Sequence, residues 1–419
     1  MVLEIGSVFS ALSTVVFDRG ARDDDTVDRL NHMVMYGLLI FLGVAAGTRQ
    51  YVGSAIYCWS PAEFAEKIHR RYIHHYCWVS AMYDVPFDEF IPAAEDDRYF
   101  NDVNYYKLIT GLFLLLAVLF RVPQLLWKEL SRSSEANMEL LVGMTTETVF
   151  IEQDERDDKL RRVAEYFHRW ITIGKPATRN SICDFFGRIL TNVVCRGRRP
   201  GSTLVYSYLF IKFLYLLNVI SQFFIISAFL KTNYWKLGVT AIASYIRNGQ
   251  WEDEYNFPRV THCDVKIRQL ENVHTYTVQC VLAINLFLEK MFLLLWICLV
   301  LMLFINTISL VKWLFQVTNE SRNILFLWKF FGQCFSRRQT SMEDRRKYLF
   351  MIRRYLKPDG IFVLRMVSVN TTDMLTIELA RQIWLRYKAS LEEGSRLIPT
   401  NGVKLNGNVT SSMNDSDDE

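Results

Sequence analysis

Four long apolar stretches dominate the hydrophobic pattern of the chain. They lie at residues 31–52, 105–127, 203–230 and 287–314, and polar segments separate them. A helix that crosses the hydrocarbon core of a membrane, which is about 30 Å thick, needs about 20 residues. Each stretch is long enough, so the pattern predicts four membrane-spanning helices. The buried core helices of a water-soluble protein are the alternative, and such helices are usually shorter and less apolar.

Basic residues predict which side of the membrane each loop occupies. They cluster at 128–132, 196–199 and 337–338, which fall on one side of a four-span bundle. Because lysine and arginine are enriched on the cytoplasmic side, both chain ends are predicted to be cytoplasmic. The predicted segments are a lead-in at 1–30, a first outer loop at 53–104, a cytoplasmic loop at 128–202, a second outer loop at 231–286, a helical cytoplasmic domain at 315–391 and a disordered tail at 392–419.

Two pairs of cysteines fall in the predicted outer loops. Cys58 and Cys77 lie in the first loop, and Cys263 and Cys280 lie in the second. Cysteines on the oxidising side of a membrane are expected to form disulfides. Four cysteines allow three connectivities, and their spacing leaves the choice between these open. No CxxC spacing occurs among them, so a metal site is not predicted.

Two features mark the cytoplasmic end of the predicted second span. Pro123 removes a backbone donor, so it predicts a kink; alternatively, the helix ends near Phe120. Trp127, together with Trp313 at the end of span four, is typical of the aromatic residues that mark a membrane interface.

Charge and motifs exclude other function classes. The chain has 48 basic and 44 acidic residues, so it shows no excess of positive charge for binding nucleic acid. It contains no GxGxxG, Walker or HExxH motif. We therefore predict no enzymatic activity and no cofactor.

Four sequence blocks resemble the innexins, the invertebrate gap-junction subunits. They are DDDTVDRLNH at 23–32, YVGSAIYCWSPAEF at 51–64, the long second-loop block FPRVTHC…FLLLW at 257–296, and DGIFVLRMVSVNTTDMLTIELARQIW at 359–384. They occur in the expected order, and the resemblance extends over nearly all of residues 1–390. Similarity to this family implies a multi-pass plasma-membrane protein located at gap junctions.

The resemblance also implies an architecture. It is an all-α membrane protein with an amino-terminal pore helix, four spans, a disulfide-clamped outer domain with some strand and a helical cytoplasmic domain. In the outer domain Cys58 is expected to pair with Cys280, and Cys77 with Cys263. Innexin subunits, identical or mixed, are expected to form an octameric ring that docks with a ring of the adjacent cell.

Two alternatives to this function stay open. One is a hemichannel that never docks, and the other is an accessory subunit that needs a more typical partner. Glycosylation of an outer loop would block docking, but the N-x-S/T sequences, at Asn319, Asn370, Asn408 and Asn414, all fall in predicted cytoplasmic segments.

Small and apolar residues near the amino terminus are candidates for lining the pore. An apolar face at three- and four-residue spacing predicts a short helix, which either narrows the pore or lies on the inner leaflet. Small residues in span one either leave room in the lumen or allow close helix packing, which we prefer. The candidates are Val2, Ile5, Phe9, Gly43, Ala46 and Gly47.

Five histidines fall in the predicted outer loops. Imidazole titrates between about pH 5 and 8 and binds zinc, so a cluster of them could sense pH or Zn²⁺. The alternative is that they are ordinary surface residues. They are His69, His74, His75, His262 and His274.

The start of span two departs from the family pattern. Innexins usually carry YYQWV here, whereas this chain has YYKLI at 105–109. Lys107 is expected to extend its ammonium group to the membrane interface. The departure leaves open whether the subunit forms channels alone.

Overall fold

The computed structural model describes residues 24–52, 56–64, 66–86, 89–94, 98, 103–133, 138–173, 202–249, 251, 253, 255–334 and 342–396. In chain order the helices are α1 (Thr26–Tyr51), α2 (Lys67–Val79), α3 (Ile109–Ser133), α4 (Met138–Glu147), α5 (Gln153–Ile173), α6 (Thr203–Leu230), α7 (Tyr234–Asn248), α8 (Ala283–Thr318), α9 (Glu320–Phe331), α10 (Met342–Asn370) and α11 (Asp373–Arg396). The strands are β1 (Tyr57–Cys58), β2 (Val260–Gln269) and β3 (Asn272–Val281).

Four of these helices, α1, α3, α6 and α8, are long and apolar enough to cross a membrane. Helix α3 packs between α1 and α6, and α8 packs along α6 and reaches α1. The outward faces of the bundle remain apolar, as at Phe224, Leu301 and Phe304. The prediction of four spanning helices is confirmed.

Helix α1 contains a stretch of wider turns near its start. Residues Leu30–Met35 are π-helical, between α-helical segments on either side. A π turn contains an extra residue and is frequent at functional sites, because it re-aims the side chains that it carries. Here it carries Asn31 and His32, whose side chains are buried and hydrogen-bonded.

Helix α3 runs through Pro123 without ending and continues to Ser133. The alternative end near Phe120 is therefore wrong. Phe120 is completely buried, and Arg121 lies over the ring of Tyr36 with its guanidinium carbon 4.8 Å from the ring centroid. Both contacts hold the turn that precedes Pro123, where the proline lacks a backbone donor.

A small sheet and helix α2 form what we call the disulfide domain (described residues 56–107 and 251–282). The sheet is antiparallel in the order β1-β3-β2. Strands β2 and β3 form a hairpin whose two-residue loop is Leu270 and Glu271. Leu270 has φ of 54°, a left-handed conformation that tight hairpin turns require and that glycine would adopt at lower cost.

At the other end of the bundle, α4, α5 and α9–α11 form what we call the helical domain (described residues 138–173 and 320–396). Apolar residues at three- and four-residue spacing form a stripe along α5, and this stripe is buried, with Leu160, Val163 and Phe167 each at most 2% exposed. Helix α10 is broken at Lys357, which has φ of 55° and precedes Pro358. Helix α11 extends to Arg396, beyond the predicted start of the tail at 392.

An aromatic cluster joins the membrane helices to the helical domain. The Tyr208 ring centroid lies 5.0 Å from Trp127, 4.9 Å from Trp313 and 5.0 Å from Phe362. All four side chains are buried. The expectation that Trp127 and Trp313 mark a lipid interface is wrong, because the helical domain covers both.

Candidate functional site

Two disulfides join the two loops of the disulfide domain. Cys58 is bonded to Cys280, with which it is directly opposed in the β1–β3 pair, and Cys77 of α2 is bonded to Cys263 of β2. This is the pairing that the resemblance implies. The sulfur atoms of Cys58, Cys77 and Cys280 all lie within 4.8 Å of one another, so the cross-links form one buried cluster.

Lys107 fastens helix α2 of the disulfide domain to the start of membrane helix α3. Its Nζ atom donates to the carbonyl oxygens of Val79 at 3.0 Å and Ser80 at 2.7 Å, and to Asn104 Oδ1 at 3.1 Å. A cation at the carboxyl end of a helix interacts favourably with the unpaired carbonyls and the helix dipole. The lysine therefore holds the end of the helix that carries Cys77, and its ammonium group is directed toward that helix end.

A buried carboxylate organises the interior of the disulfide domain. Asp264 accepts hydrogen bonds from the hydroxyls of Tyr83 at 3.0 Å and Thr277 at 2.7 Å, and from Arg98 at 3.0 Å. Burial, with the Asp264 carboxylate beside it, raises the pKa of Tyr83 to about 12. The backbone of Tyr83 also pairs with that of His262, so this network adds a polar connection between the two loops. Sequence reasoning missed it, because Tyr83 and Asp264 lie far apart along the chain and belong to no motif.

The five histidines of the predicted outer loops occupy different positions in the disulfide domain, and His75 is exposed on α2. His74 contacts the carbonyl oxygen of Cys58 at 3.3 Å, while His69 is exposed near Glu66. His262 is half-buried on β2, whereas His274 lies near the far end of the hairpin. Among the described residues, no group of three or more metal-ligating atoms includes a histidine. The geometry therefore gives a shared zinc site no support.

A buried lysine and two of three aspartates connect the start of α1 to two other membrane helices. Lys212 of α6 lies with its Nζ atom 2.9 Å from Asp28 Oδ1 and 3.4 Å from Asp25 Oδ2. The Tyr208 hydroxyl donates to Asp28 at 2.7 Å, and the Trp313 indole of α8 donates to Asp25 at 3.1 Å. Because charges buried in a membrane protein are costly unless paired, this network fixes the lead-in segment relative to α6 and α8.

The third aspartate links the same segment to the helical domain. Asp24 accepts from Arg29 at 3.1 Å and contacts His32 Nε2 at 2.5 Å. Asn370, at the end of α10, donates to the Asp24 carbonyl oxygen at 3.1 Å and accepts a short hydrogen bond from Arg29. We call the two sets of contacts together the inner polar network.

Two further polar contacts reinforce this end of the bundle. Asn31 and Asn306 exchange side-chain hydrogen bonds of 2.8 and 3.0 Å between α1 and α8. Asp359, directed by the break in α10, accepts from the backbone N–H of Val205 at 3.1 Å and so caps the start of α6. Burial raises the pKa of Asp359 to about 6, although this backbone hydrogen bond lowers it.

The small residues of α1 pack against α3. A Cβ atom on Gly43 would lie 3.3 Å from Phe113, one on Gly47 would lie 3.5 Å from Thr110, and Ala46 is completely buried. This favours the packing explanation, because a side chain that lines a pore must be exposed on the isolated subunit. The other candidates, Val2, Ile5 and Phe9, lie outside the described residues.

These features match one protein family. The Innexin family model matches residues 24–387, which is most of the chain. The chain belongs to the innexin family. It is 30% identical to Innexin unc-9 of Caenorhabditis elegans over 365 residues, covering 87% of this chain and 92% of that protein. Innexin-19 of Caenorhabditis briggsae is also 30% identical, over 401 residues that cover 91% and 89%.

A third innexin, eat-5 of Caenorhabditis elegans, is 27% identical over 410 residues, covering 94% of this chain and 92% of that protein. Innexins form a family of gap-junction channel subunits, and their function is transport rather than catalysis. The chain therefore has the general function of such a subunit, located in the membrane. The disulfide domain and the inner polar network are the parts of this innexin through which that function can be tested.

Proposed function

We propose that this innexin assembles into a ring whose disulfide domains project outside the cell and dock with a second ring on the adjacent cell. The observation that carries this proposal is that two disulfides cross-link the two loops. The bonded cysteines are 222 residues apart in sequence in one disulfide and 186 in the other. They make one rigid surface from two loops, and a rigid surface loses little conformational entropy on docking.

The same proposal orients the chain. Disulfides form in the oxidising space outside the cell, whereas basic residues concentrate on the cytoplasmic side. The disulfide domain is then extracellular, and the helical domain and both chain ends are cytoplasmic. Eight subunits, identical or mixed, surround a pore, and the amino-terminal segment that carries Val2, Ile5 and Phe9 narrows its cytoplasmic mouth.

Recording from paired cells tests docking and self-sufficiency together. We expect junctional current when both cells express this chain alone, and none when one cell of the pair lacks any innexin. Current only after co-expression with a typical innexin would make the chain an accessory subunit. Current across unpaired membranes without any coupling would make it a non-docking hemichannel. The mass of the purified assembly measures the number of subunits independently.

A further inference from the structure

Helix α7 lies beside the membrane helices, although its sequence falls in the predicted second outer loop. The Tyr234 hydroxyl donates to the backbone oxygen of Phe292 at 2.7 Å, within α8. The Trp235 ring stacks on Phe223 of α6, with 3.9 Å between centroids. One turn later, Gly238 lies so close to the Trp296 ring that a Cβ atom would come within 2.1 Å. The helix is therefore held against α6 and α8 below their ends.

Charged residues at the ends of these helices measure how deep α7 lies. Lys290, whose side chain is 53% exposed, is the last charged residue before the long apolar run of α8. Trp296 lies six positions further along, which is about 9 Å at about 1.5 Å per residue. On α6, Phe223 lies eight positions before Lys231, or about 12 Å. Helices that rest in a membrane interface are buried by about 5–10 Å, which is a similar depth.

The surface of α7 is divided into three stripes at helical spacing. The buried stripe, which faces the protein, is formed by Tyr234, Leu237, Gly238 and Ala241. Beside it runs an exposed apolar stripe formed by Trp235, Val239, Ile242 and Ile246. A polar stripe formed by Lys236, Thr240 and Arg247 follows on the far side of the apolar one. With about 3.6 residues per turn, the two apolar stripes are contiguous and the cations lie along one edge.

We propose that α7 is an interfacial helix whose exposed apolar stripe contacts lipid acyl chains of the leaflet next to the disulfide domain. The stripe continues the apolar outer surface of its neighbours, where Phe224 is 65% and Leu294 is 46% exposed. Lys236 and Arg247 then lie at the level of the lipid phosphates, which attract cations. A bilayer sorts polar and apolar groups by depth, and this explains why both cations lie along one edge. A contact with a second subunit would require no such order.

Spin-label accessibility tests the proposal on the full-length assembly in phosphatidylcholine–phosphatidylglycerol nanodiscs. Labels are placed singly at Val239→Cys, Ile242→Cys and Thr240→Cys, after the four cysteines outside the disulfides (Cys183, Cys195, Cys298 and Cys334) are replaced by serine. Relaxation by oxygen, which partitions into lipid, is compared with relaxation by a water-soluble nickel chelate.

We expect oxygen to relax the labels at 239 and 242 several-fold more strongly than the chelate, with the order reversed at 240. Leu237→Cys, on the buried stripe, is the matched control and should be inaccessible to both. Low accessibility to both agents at 239 and 242 would assign the stripe to a subunit contact and overturn the proposal. Strong relaxation by the chelate there would place the helix in water, with the same consequence. If Val239→Cys fails to assemble, Ile246→Cys probes the same stripe.

Discussion

The two ends of the membrane bundle are held together by different chemistry. At one end, two disulfides and the Asp264 network join segments that are distant in sequence. At the other end, the inner polar network joins α1, α6, α8 and the helical domain by ion pairs and hydrogen bonds. Covalent bonds suit the docking surface that we propose, because it must keep one shape. Non-covalent contacts can exchange partners, which suits the proposed role of the amino-terminal segment in the pore.

Removing the buried lysine of the inner polar network should have the largest effect. In Lys212→Met, Asp28 loses its cation and remains buried, and loss of one partner of a buried ion pair costs about 3–5 kcal/mol. We expect little assembled protein and no junctional current. Size-exclusion chromatography of the detergent-solubilised protein measures the assembly.

The matched control for this prediction removes the orphaned charge as well. The double variant Lys212→Met with Asp28→Asn should recover much of the assembled protein, because both of these side chains are then neutral. An equal loss in the single and double variants would show that the lysine contributes by packing, and that the charge balance is unimportant.

Removing one disulfide at the other end of the bundle should have the second-largest effect. Cys58→Ser leaves the Cys77–Cys263 bond but releases β1 from β3, and loss of a disulfide typically costs about 2–5 kcal/mol. We expect cell-to-cell coupling to be abolished while protein still reaches the cell surface. Surface biotinylation and paired-cell recording separate these outcomes. Cys298→Ser, which removes a cysteine outside both cross-links, should leave coupling unchanged.

Changing Lys107 sharpens the comparison, because its hydrogen bonds support the disulfide domain without a covalent bond. Lys107→Met removes three hydrogen bonds from a charged donor, and we expect a loss of about 1–3 kcal/mol. Lys107→Gln retains a donor in the residue type usual for innexins and should lose less. Thermal unfolding in detergent measures stability, and paired-cell recording measures function. Wild-type behaviour of both variants would show that Lys107 does not support the disulfide domain.

The smallest predicted effect is a pH dependence at His262. Burial lowers the pKa of His262 from 6.5, although the carboxylates of Asp84 and Asp264 raise it. The folded protein then disfavours the protonated ring, so its contribution to stability is complete above pH 6.5 and is lost as pH falls below that value. We expect a small additional fall in melting temperature between pH 7 and pH 5.5. His262→Gln should lack that component, and the exposed control His274→Gln should retain it.

The sequence by itself determined the membrane architecture, because a spanning helix needs about 20 apolar residues and such runs are visible in composition. It also determined which cysteines are available to pair, since only those outside the cell are expected to be oxidised. The pairing itself came from the resemblance, because spacing does not distinguish the three connectivities. The burial of the α5 stripe followed from its periodicity.

Tertiary structure alone decided the contacts between distant segments. Lys107 could have reached the membrane interface, but the carboxyl end of α2 lies within its reach and binds it. Trp127 and Trp313 are of the residue type that is enriched at membrane interfaces, yet the helical domain covers them. Lys212 is a costly residue until Asp25 and Asp28, at the start of α1, fold against it. Amphipathic periodicity likewise shows that α7 has an apolar side but cannot show whether water, lipid or protein lies beside it. Each outcome depends on which groups the fold brings within a few ångströms, and local sequence does not contain that information.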